Sequence, residues 1–454
     1  MALRSINPAT GELIQEHDEH TNADIEATLE SASDAFEQWR ETSCTQRSEL
    51  MKNAADLLRA RKDDWAEVMT GEMGKPITEA RSEAEKCAWV CDYYAENAKD
   101  FLSTETIETD ALKSMVRYDP LGPVLAVMPW NFPFWQVFRF AAPSLMAGNV
   151  GLLKHASNVP GCAMAIEEIF REAGFPEGVF QALLIGSDKM EPVIRDERIK
   201  AVTLTGSEIA GKNVAEVAGN SLKKTVLELG GSDPFIILGD AEIDRAIEVG
   251  AAARCINSGQ SCIAAKRFIV VQSQLGEFTS RFVERMEAKT VGDPMDEETQ
   301  IGPLAREDLR SDLHDQVRQS IMDGADLLTG GKPIEREGYF YQPTVLGNVR
   351  KGMAVYEEET FGPVAAIIPA ESDTDAIHIA NDTKFGLGAS LWTQDTSRGE
   401  ELSQKIEAGC VFINGLVKSD PRLPFGGIKK SGYGRELSYH GIREFVNVKT
   451  VWIG

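Results

Sequence analysis

The 454-residue chain carries 47 basic against 71 acidic side chains, a formal charge of −24, with 43% hydrophobic residues. So acidic a surface repels nucleic-acid phosphates and anionic lipid, which argues against both as partners, and the length supplies core for two or three domains. The most apolar stretch, 120–153, is interrupted by Asn131, Gln136, Arg139, Asn149 and several prolines, which argues against a membrane span. The opening MALRSINPAT lacks the apolar run of a secretory signal. Seven cysteines, at 44, 87, 91, 162, 255, 262 and 410, form no CxxC pair and read as the reduced thiols of a cytoplasmic protein. Cys87 and Cys91, one helical turn apart, read as packing residues, and His17 and His20 as solvated.

In chain order, residues 23–39, 45–72 and 76–101 have the apolar spacing of amphipathic helices, with Asp24 and Thr45 as start caps. Short apolar strands follow at 123–128, 149–153, 179–185, 200–205 and 224–229, with helices at 133–147, 157–172, 188–196 and 208–219 between them. Such alternation predicts a parallel sheet covered by helices, with ligands at the carboxyl ends of the strands. A second alternating region runs to about residue 430, with strands at 234–238, 266–271 and 362–368 and helices at 242–255, 273–288 and 374–381. The tail HGIREFVNVKTVWIG ends in a strand without a partner of its own, an edge of the kind another subunit often covers.

Four stretches carry chemistry. In AVTLTGSEIAGKN a strand meets a glycine turn and a helix. Gly206 lets a phosphate approach the backbone, the helix N-terminus favours anions, and Ser207 can donate; a plain strand–helix turn would need the glycine too. Residues 206–212 nearly fit the phosphate loop of nucleotide hydrolases, but Asn213 stands where a hydroxyl should hold magnesium. In NSGQSCIAAK, Cys262 has polar neighbours unlike a core. An exposed, turn-mounted cysteine suits nucleophilic attack if a base removes its proton. In VMPWNFPFWQVFRF, the Asn131 amide either holds its own turn or donates to an oxyanion, a role worth roughly 3–4 kcal/mol. Arg139, the one formal charge between 120 and 153, needs an anion, from the protein or from a substrate. In ELGGSDPFIILGD, Glu228 stands beside apolar residues 34 positions before Cys262.

Taken together, NPATGE, PWNFP, LLKHAS, TGS, ELGGSDP, GQSC, EETFGPV, FINGL, PFGGIKKSGYGRE and the FVNVKTVW tail resemble, in this order, the aldehyde dehydrogenase superfamily over essentially the whole chain. Within it the likeness is greatest to bacterial succinate-semialdehyde dehydrogenases that accept either NAD or NADP. The resemblance implies that Cys262 attacks the aldehyde, that Asn131 and the Cys262 N–H hold the oxyanion, and that Glu228 activates the water that hydrolyses the thioester. A partly desolvated carboxylate has a raised pKa, as a base at neutral pH needs. Relatives that pass the acyl group to coenzyme A lack this glutamate.

The resemblance also assigns Trp130, Lys154, Ser157, Gly206, Ser207, Glu359 and Phe361 to the cofactor. Ser157 replaces a glutamate that repels a 2′-phosphate in strictly NAD-dependent relatives, and His155 could add positive charge, so NADP is expected beside NAD. Arg139 and Ser419 are expected at the carboxylate of succinate semialdehyde; glutarate semialdehyde or another short aldehyde is the alternative. A second arginine, six residues before the nucleophile in some relatives, is replaced by Ile256, for which Lys418 or Arg422 could compensate. No metal is expected.

The implied fold is α/β, with two doubly wound Rossmann-like domains and a small β oligomerisation element. Residues 1–107 and 123–230 form the cofactor domain and 231–430 the catalytic domain. Residues 108–122 and 431–454 pair as strands that reach a neighbour in a homodimer or homotetramer.

Overall fold

The apolar strands assemble into two separate parallel sheets in the computed structural model, which describes residues 2–454. In the first sheet Pro123–Met128 lies between Val150–His155 and Ala201–Thr205, with Phe180–Ala182 and Lys224–Glu228 outside them, all parallel. The chain builds outward on one side of Pro123–Met128, then returns to build on the other. The switch point therefore lies between the carboxyl ends of Pro123–Met128 and Ala201–Thr205, where ligands bind in such sheets. Trp130 and Asn131 follow the first of these strands, and Gly206 and Ser207 the second.

The second sheet runs Asp326–Thr329, Thr344–Gly347, Val364–Ala370, Arg267–Val271, Pro234–Ile237, Gly388–Trp392, Cys410–Ile413, with only the first strand antiparallel. Its strands bury both faces. Ile236, Ile269, Leu346 and Leu391 pack into one cluster, while Phe235, Ile237, Phe268, Val270 and Trp392 pack into the other. This is the two-residue alternation of a covered strand.

A third, antiparallel sheet pairs Val446–Ile453 with Lys113–Pro120, and Lys113–Pro120 with Glu105–Ile107. Two boundaries expected from sequence shift. Glu105–Ile107 belongs to this small sheet rather than to the cofactor domain. Gly432–Tyr433, expected in the oligomerisation element, instead hydrogen-bonds to Leu227 and Glu228 on the edge of the first sheet. Gly432 has φ +109°, and a Cβ there would collide with the Leu227 carbonyl, so only glycine brings this segment against the edge.

The early helices also depart from expectation. Residues 45–72 form two helices, Cys44–Ala60 and Lys62–Met73, broken at Arg61, whose guanidinium lies 4.1 Å from the Trp65 ring and pairs with Asp64, Glu168 and Glu172. The true caps are Thr21 and Ser43, each in a capping box completed by Asp24 or Gln46. His17 is buried rather than solvated, because it lies on Leu13–Asp18 of an N-terminal hairpin. Cys87 and Cys91 are buried in the core beside the first sheet.

Candidate active site

The carboxyl end of Lys224–Glu228 brings Glu228 level with Thr205, and Gly206 N–H donates to the Glu228 carbonyl at 2.9 Å. The chain then turns through Gly230 and Gly231. A Cβ on Gly231 would lie 2.8 Å from the Cys262 carbonyl oxygen, and one on Gly230 would strike the Glu359 carboxylate. The double glycine is thus required by close approach. It lets the Glu228 turn, the Cys262 loop and Glu359 meet.

Cys262 follows a turn in which Asn257, Ser258 and Gly259 take φ of +52°, +56° and +78°. Left-handed backbone costs about 1 kcal/mol or more at each non-glycine residue, and the surroundings hold it in place. Glu79 accepts from Asn257 N–H at 2.6 Å, Asn257 Nδ2 donates to the Asn131 carbonyl at 2.7 Å, and Ser258 Oγ accepts from Gly302 N–H at 2.9 Å. Lys266 Nζ donates to the carbonyls of Ser261 and Cys262 at 2.9 and 2.8 Å. The polar neighbours expected to signal an exposed loop are therefore fully buried, and they serve the turn. Cys262 itself remains partly accessible. Burial pushes its thiol up to about 12 against the fields of Arg139 and Lys266, so at neutral pH the sulfur keeps its proton until a base takes it.

Glu228 is buried, and neither carboxylate oxygen has a hydrogen-bond partner. Burial, then the nearby Glu436 charge, holds its pKa well above the carboxylate range; Arg139 and Arg435 oppose this. Arg139 acts electrostatically on both Glu228 and Cys262. The chain supplies the anion Arg139 needs, since its Nε pairs with Glu436. Its Nη2 donates to Thr205 Oγ1 at 3.2 Å, and neither contact uses Nη1.

Asn131 is oriented from both ends. Its Oδ1 accepts from Gln136 Nε2 at 3.1 Å and its Nδ2 donates to the Gln260 carbonyl at 3.0 Å. An amide nitrogen has two hydrogens, so one remains for an oxyanion. The helix Trp135–Met146 that follows is capped by Glu83, which accepts from the N–H groups of Phe134 and Trp135, each at 2.9 Å.

The family model of the aldehyde dehydrogenase family matches residues 1–451. The chain belongs to that family. A Synechocystis protein named probable succinate-semialdehyde dehydrogenase [NADP(+)] is 54% identical over 453 residues, covering all of both chains. Succinate-semialdehyde dehydrogenase [NADP(+)] 1 of Mycobacterium tuberculosis is 51% identical over 456 residues, again covering both completely. Among solved structures, succinic semialdehyde dehydrogenase of Streptococcus pyogenes in complex with NADP+ is 40% identical, with a TM-score of 0.98 over the full length of both chains.

In this aldehyde dehydrogenase Trp130, Gly206 and Ser207 stand at the switch point and Phe361 packs against Trp130; the charge expected of His155 is the exception. Lys154 lines a cleft of about 510 Å³ with Val127, Ser187, Arg195, Leu204 and Asn213. Burial lowers its ammonium, and Glu191 and Glu216, which also line the cleft, form no ion pair with it, so Lys154 is free to meet an anionic ligand such as a phosphate. A Cβ at Gly206 would meet only Leu204, at 3.6 Å, and Ser207 caps the next helix by accepting from Ala210 N–H at 3.2 Å. Glu359 accepts from Gly231 N–H at 3.0 Å and faces Lys266 at 3.6 Å; the Phe361 and Trp130 rings meet edge-on at 5.6 Å. Ser157, three residues after Lys154, is exposed and lines a recess with Arg4, Ala305 and Arg306. His155, the exception, is buried with its ring between the carbonyls of Met128 and Pro133. Burial lowers its pKa to about 4, so it adds no positive charge for a phosphate.

The likeness to a phosphate loop dissolves in three dimensions. Lys212 pairs with Glu208 on the helix surface at 2.6 Å, and Gly211 is small because a Cβ would press on Leu229. Ser419 is buried and accepts from both Lys86 Nζ at 2.8 Å and Trp135 Nε1 at 2.9 Å. Lys418 is exposed and Arg422 pairs with Asp420, so neither stands in for the arginine missing at Ile256.

Sequence inspection had assigned no role to Glu79, Lys86, Gln136, Lys266 or Glu436. Two adjacent cations, Lys266 and Arg267, opening an apolar strand, and the place of Glu436 at the end of PFGGIKKSGYGRE, are signals that could have pointed to them.

Proposed function

We propose that the enzyme oxidises succinate semialdehyde to succinate, using NADP and also NAD. The observation that carries the chemistry is the meeting of the Cys262 loop with the Glu228 turn across Gly231, with one arginine acting on both reactive groups. The substrate is read from the relatives' names and from Ser419, a buried hydroxyl held by Lys86 and Trp135.

The deprotonated Glu228 carboxylate takes the Cys262 proton, directly or through water, and the sulfur adds to the aldehyde carbon. Asn131 Nδ2 and the Cys262 N–H donate to the resulting oxyanion. A bound nicotinamide cofactor would supply the hydride acceptor; loss of hydride from that carbon leaves a thioester on Cys262. Glu228, having passed the first proton to solvent, takes one from the attacking water; the carbon–sulfur bond breaks, the sulfur leaves as thiolate and the acid is released. Lys154, Ser207 and the open space at Gly206 would hold the phosphates and ribose, with Glu359, Phe361 and Trp130 around the nicotinamide end. Ser157 presents no negative charge to a 2′-phosphate.

Initial rates with succinate semialdehyde and butyraldehyde, each with NADP and NAD, test this. Succinate semialdehyde is expected to have the larger kcat/KM by about tenfold or more, the worth of a charge-assisted hydrogen bond. Equal values, or a preference for NAD above roughly a thousandfold, about 4 kcal/mol, would contradict the substrate or the cofactor respectively.

We also propose that the chain works in the cytoplasm, where its unpaired cysteines stay reduced, as a homodimer or homotetramer. Val446–Ile453 is an outer strand that leaves Val448, Trp452 and Ile453 exposed, a surface suited to a second copy. Sedimentation equilibrium should return a mass of two or four chains; a monomer at micromolar concentration would refute this.

A further inference from the structure

A cation does stand beside Ser419, and it comes from a helix with no evident link to the site in the sequence. Lys86 lies on Ile77–Phe101, and its ammonium sits 4.1 Å from the centre of the Trp135 ring while donating to Ser419 Oγ. Trp135 Nε1 donates to the same oxygen. A hydroxyl has two lone pairs and one hydrogen. With both lone pairs filled, Ser419 has only its hydrogen left to offer, and that hydrogen seeks an acceptor.

The charges around Lys86 are already committed. From its own helix come Glu83 and the thiol of Cys87, from the helix Trp135–Met146 comes Arg139, and from the loop after Val417 comes Asp420. Glu83 is bound to Lys75 and to the N–H groups that open the next helix. Asp420 is bound to Arg422, and Arg139 to Glu436. Lys86 and Ser419 thus put a cation and a hydroxyl donor together on a spot where nearby carboxylates are engaged elsewhere. Trp135 and Arg139 are four residues apart on one helix and so share a face. Arg139 acts on the nucleophile, which ties this spot to the reacting sulfur.

We propose that Lys86 and Ser419 form the subsite for the distal carboxylate of the aldehyde, with Lys86 as the cation that takes the place of the absent arginine. This rests on the succinate-semialdehyde reading given above. Lys86 does not reach the reacting carbon; it sets which aldehydes are preferred.

Burial first, and then the Arg139 charge, bring the Lys86 ammonium down to about 8, with Cys87, Glu83 and Asp420 opposing. The subsite is charged below that pH and loses its charge as pH rises through it. Arginine keeps its charge throughout.

The test is the ratio of kcat/KM for succinate semialdehyde to that for butyraldehyde, followed across about pH 8 with saturating NADP. The ratio cancels the titrations of Cys262 and Glu228, which both substrates share, and any common loss from misfolding. The wild type should favour succinate semialdehyde and lose that preference on the alkaline side. Lys86→Met should lower the ratio about tenfold to a hundredfold, chiefly through KM, and leave it flat with pH. Lys86→Arg should keep the preference and remove its alkaline decline. A wild-type preference that survives Lys86→Met overturns the subsite alone. A wild-type ratio near one defeats the substrate reading and the subsite with it.

Discussion

Replacing Cys262 with alanine is expected to lower NADP-dependent aldehyde oxidation by roughly 10⁴–10⁶-fold, the usual result of deleting a covalent nucleophile. The fold should survive, since the turn is held by Glu79, Asn131, Gly302 and Lys266 through backbone groups and through Asn257 and Ser258 rather than through the sulfur. The informative comparison is Cys410→Ala. Cys410 is also a partly accessible thiol; it feels the Glu228 charge, and burial raises it to about 11. Nothing ties it to the Asn131 amide, whereas the Cys262 loop is bonded to Asn131 through Gln260 and Asn257. Activity retained without Cys262 but lost without Cys410 would move the nucleophile to the wrong strand for this account.

Glu228→Gln is expected to lower kcat by about 10²–10⁴-fold, the worth of a general base, by slowing both thiolate formation and hydrolysis; thioester forms slowly and then persists. The amide has nearly the same size but cannot accept the proton. The two pH dependences run in opposite directions. Activity should rise with pH as the buried carboxyl ionises, at a pH above the ordinary carboxylate range. Stability should fall at lower pH, as pH rises from the ordinary carboxylate range up to that point, because there the folded state holds a proton that the unfolded chain has released. In the variant, calorimetry should find that part of the pH slope gone and stability undiminished, because a buried, unpartnered acid beside Glu436 has been replaced by a neutral group. A variant with wild-type kcat would remove Glu228 from the mechanism.

The fold was legible wherever short apolar strands alternated with helices, because burial on both faces writes itself into the sequence as Val/Ile/Leu runs. The strands at 344–347, 388–392 and 410–413 and the helix Glu307–Met322 went unread, the strands because four or five residues carry no period of their own. The reactive groups stood out because each sits in a compact motif. Their supports did not, because contact partners lie far apart in the chain: Glu79 meets Asn257 across 178 residues, and Lys86 meets Ser419 across 333. His155 shows the converse error. Its identity suggested a charge, but burial keeps it neutral against the pull of two carbonyls.

The central claim is that Cys262 carries the acyl group and Glu228 directs its hydrolysis. Intact-protein and peptide mass spectrometry of Glu228→Gln, quenched in acid after mixing with succinate semialdehyde and NADP, reads that intermediate directly. The account predicts one succinyl group per active site, on the peptide containing Cys262, formed together with one equivalent of reduced cofactor. Reduced cofactor without acylation of that peptide, or acylation of a different residue, would contradict it.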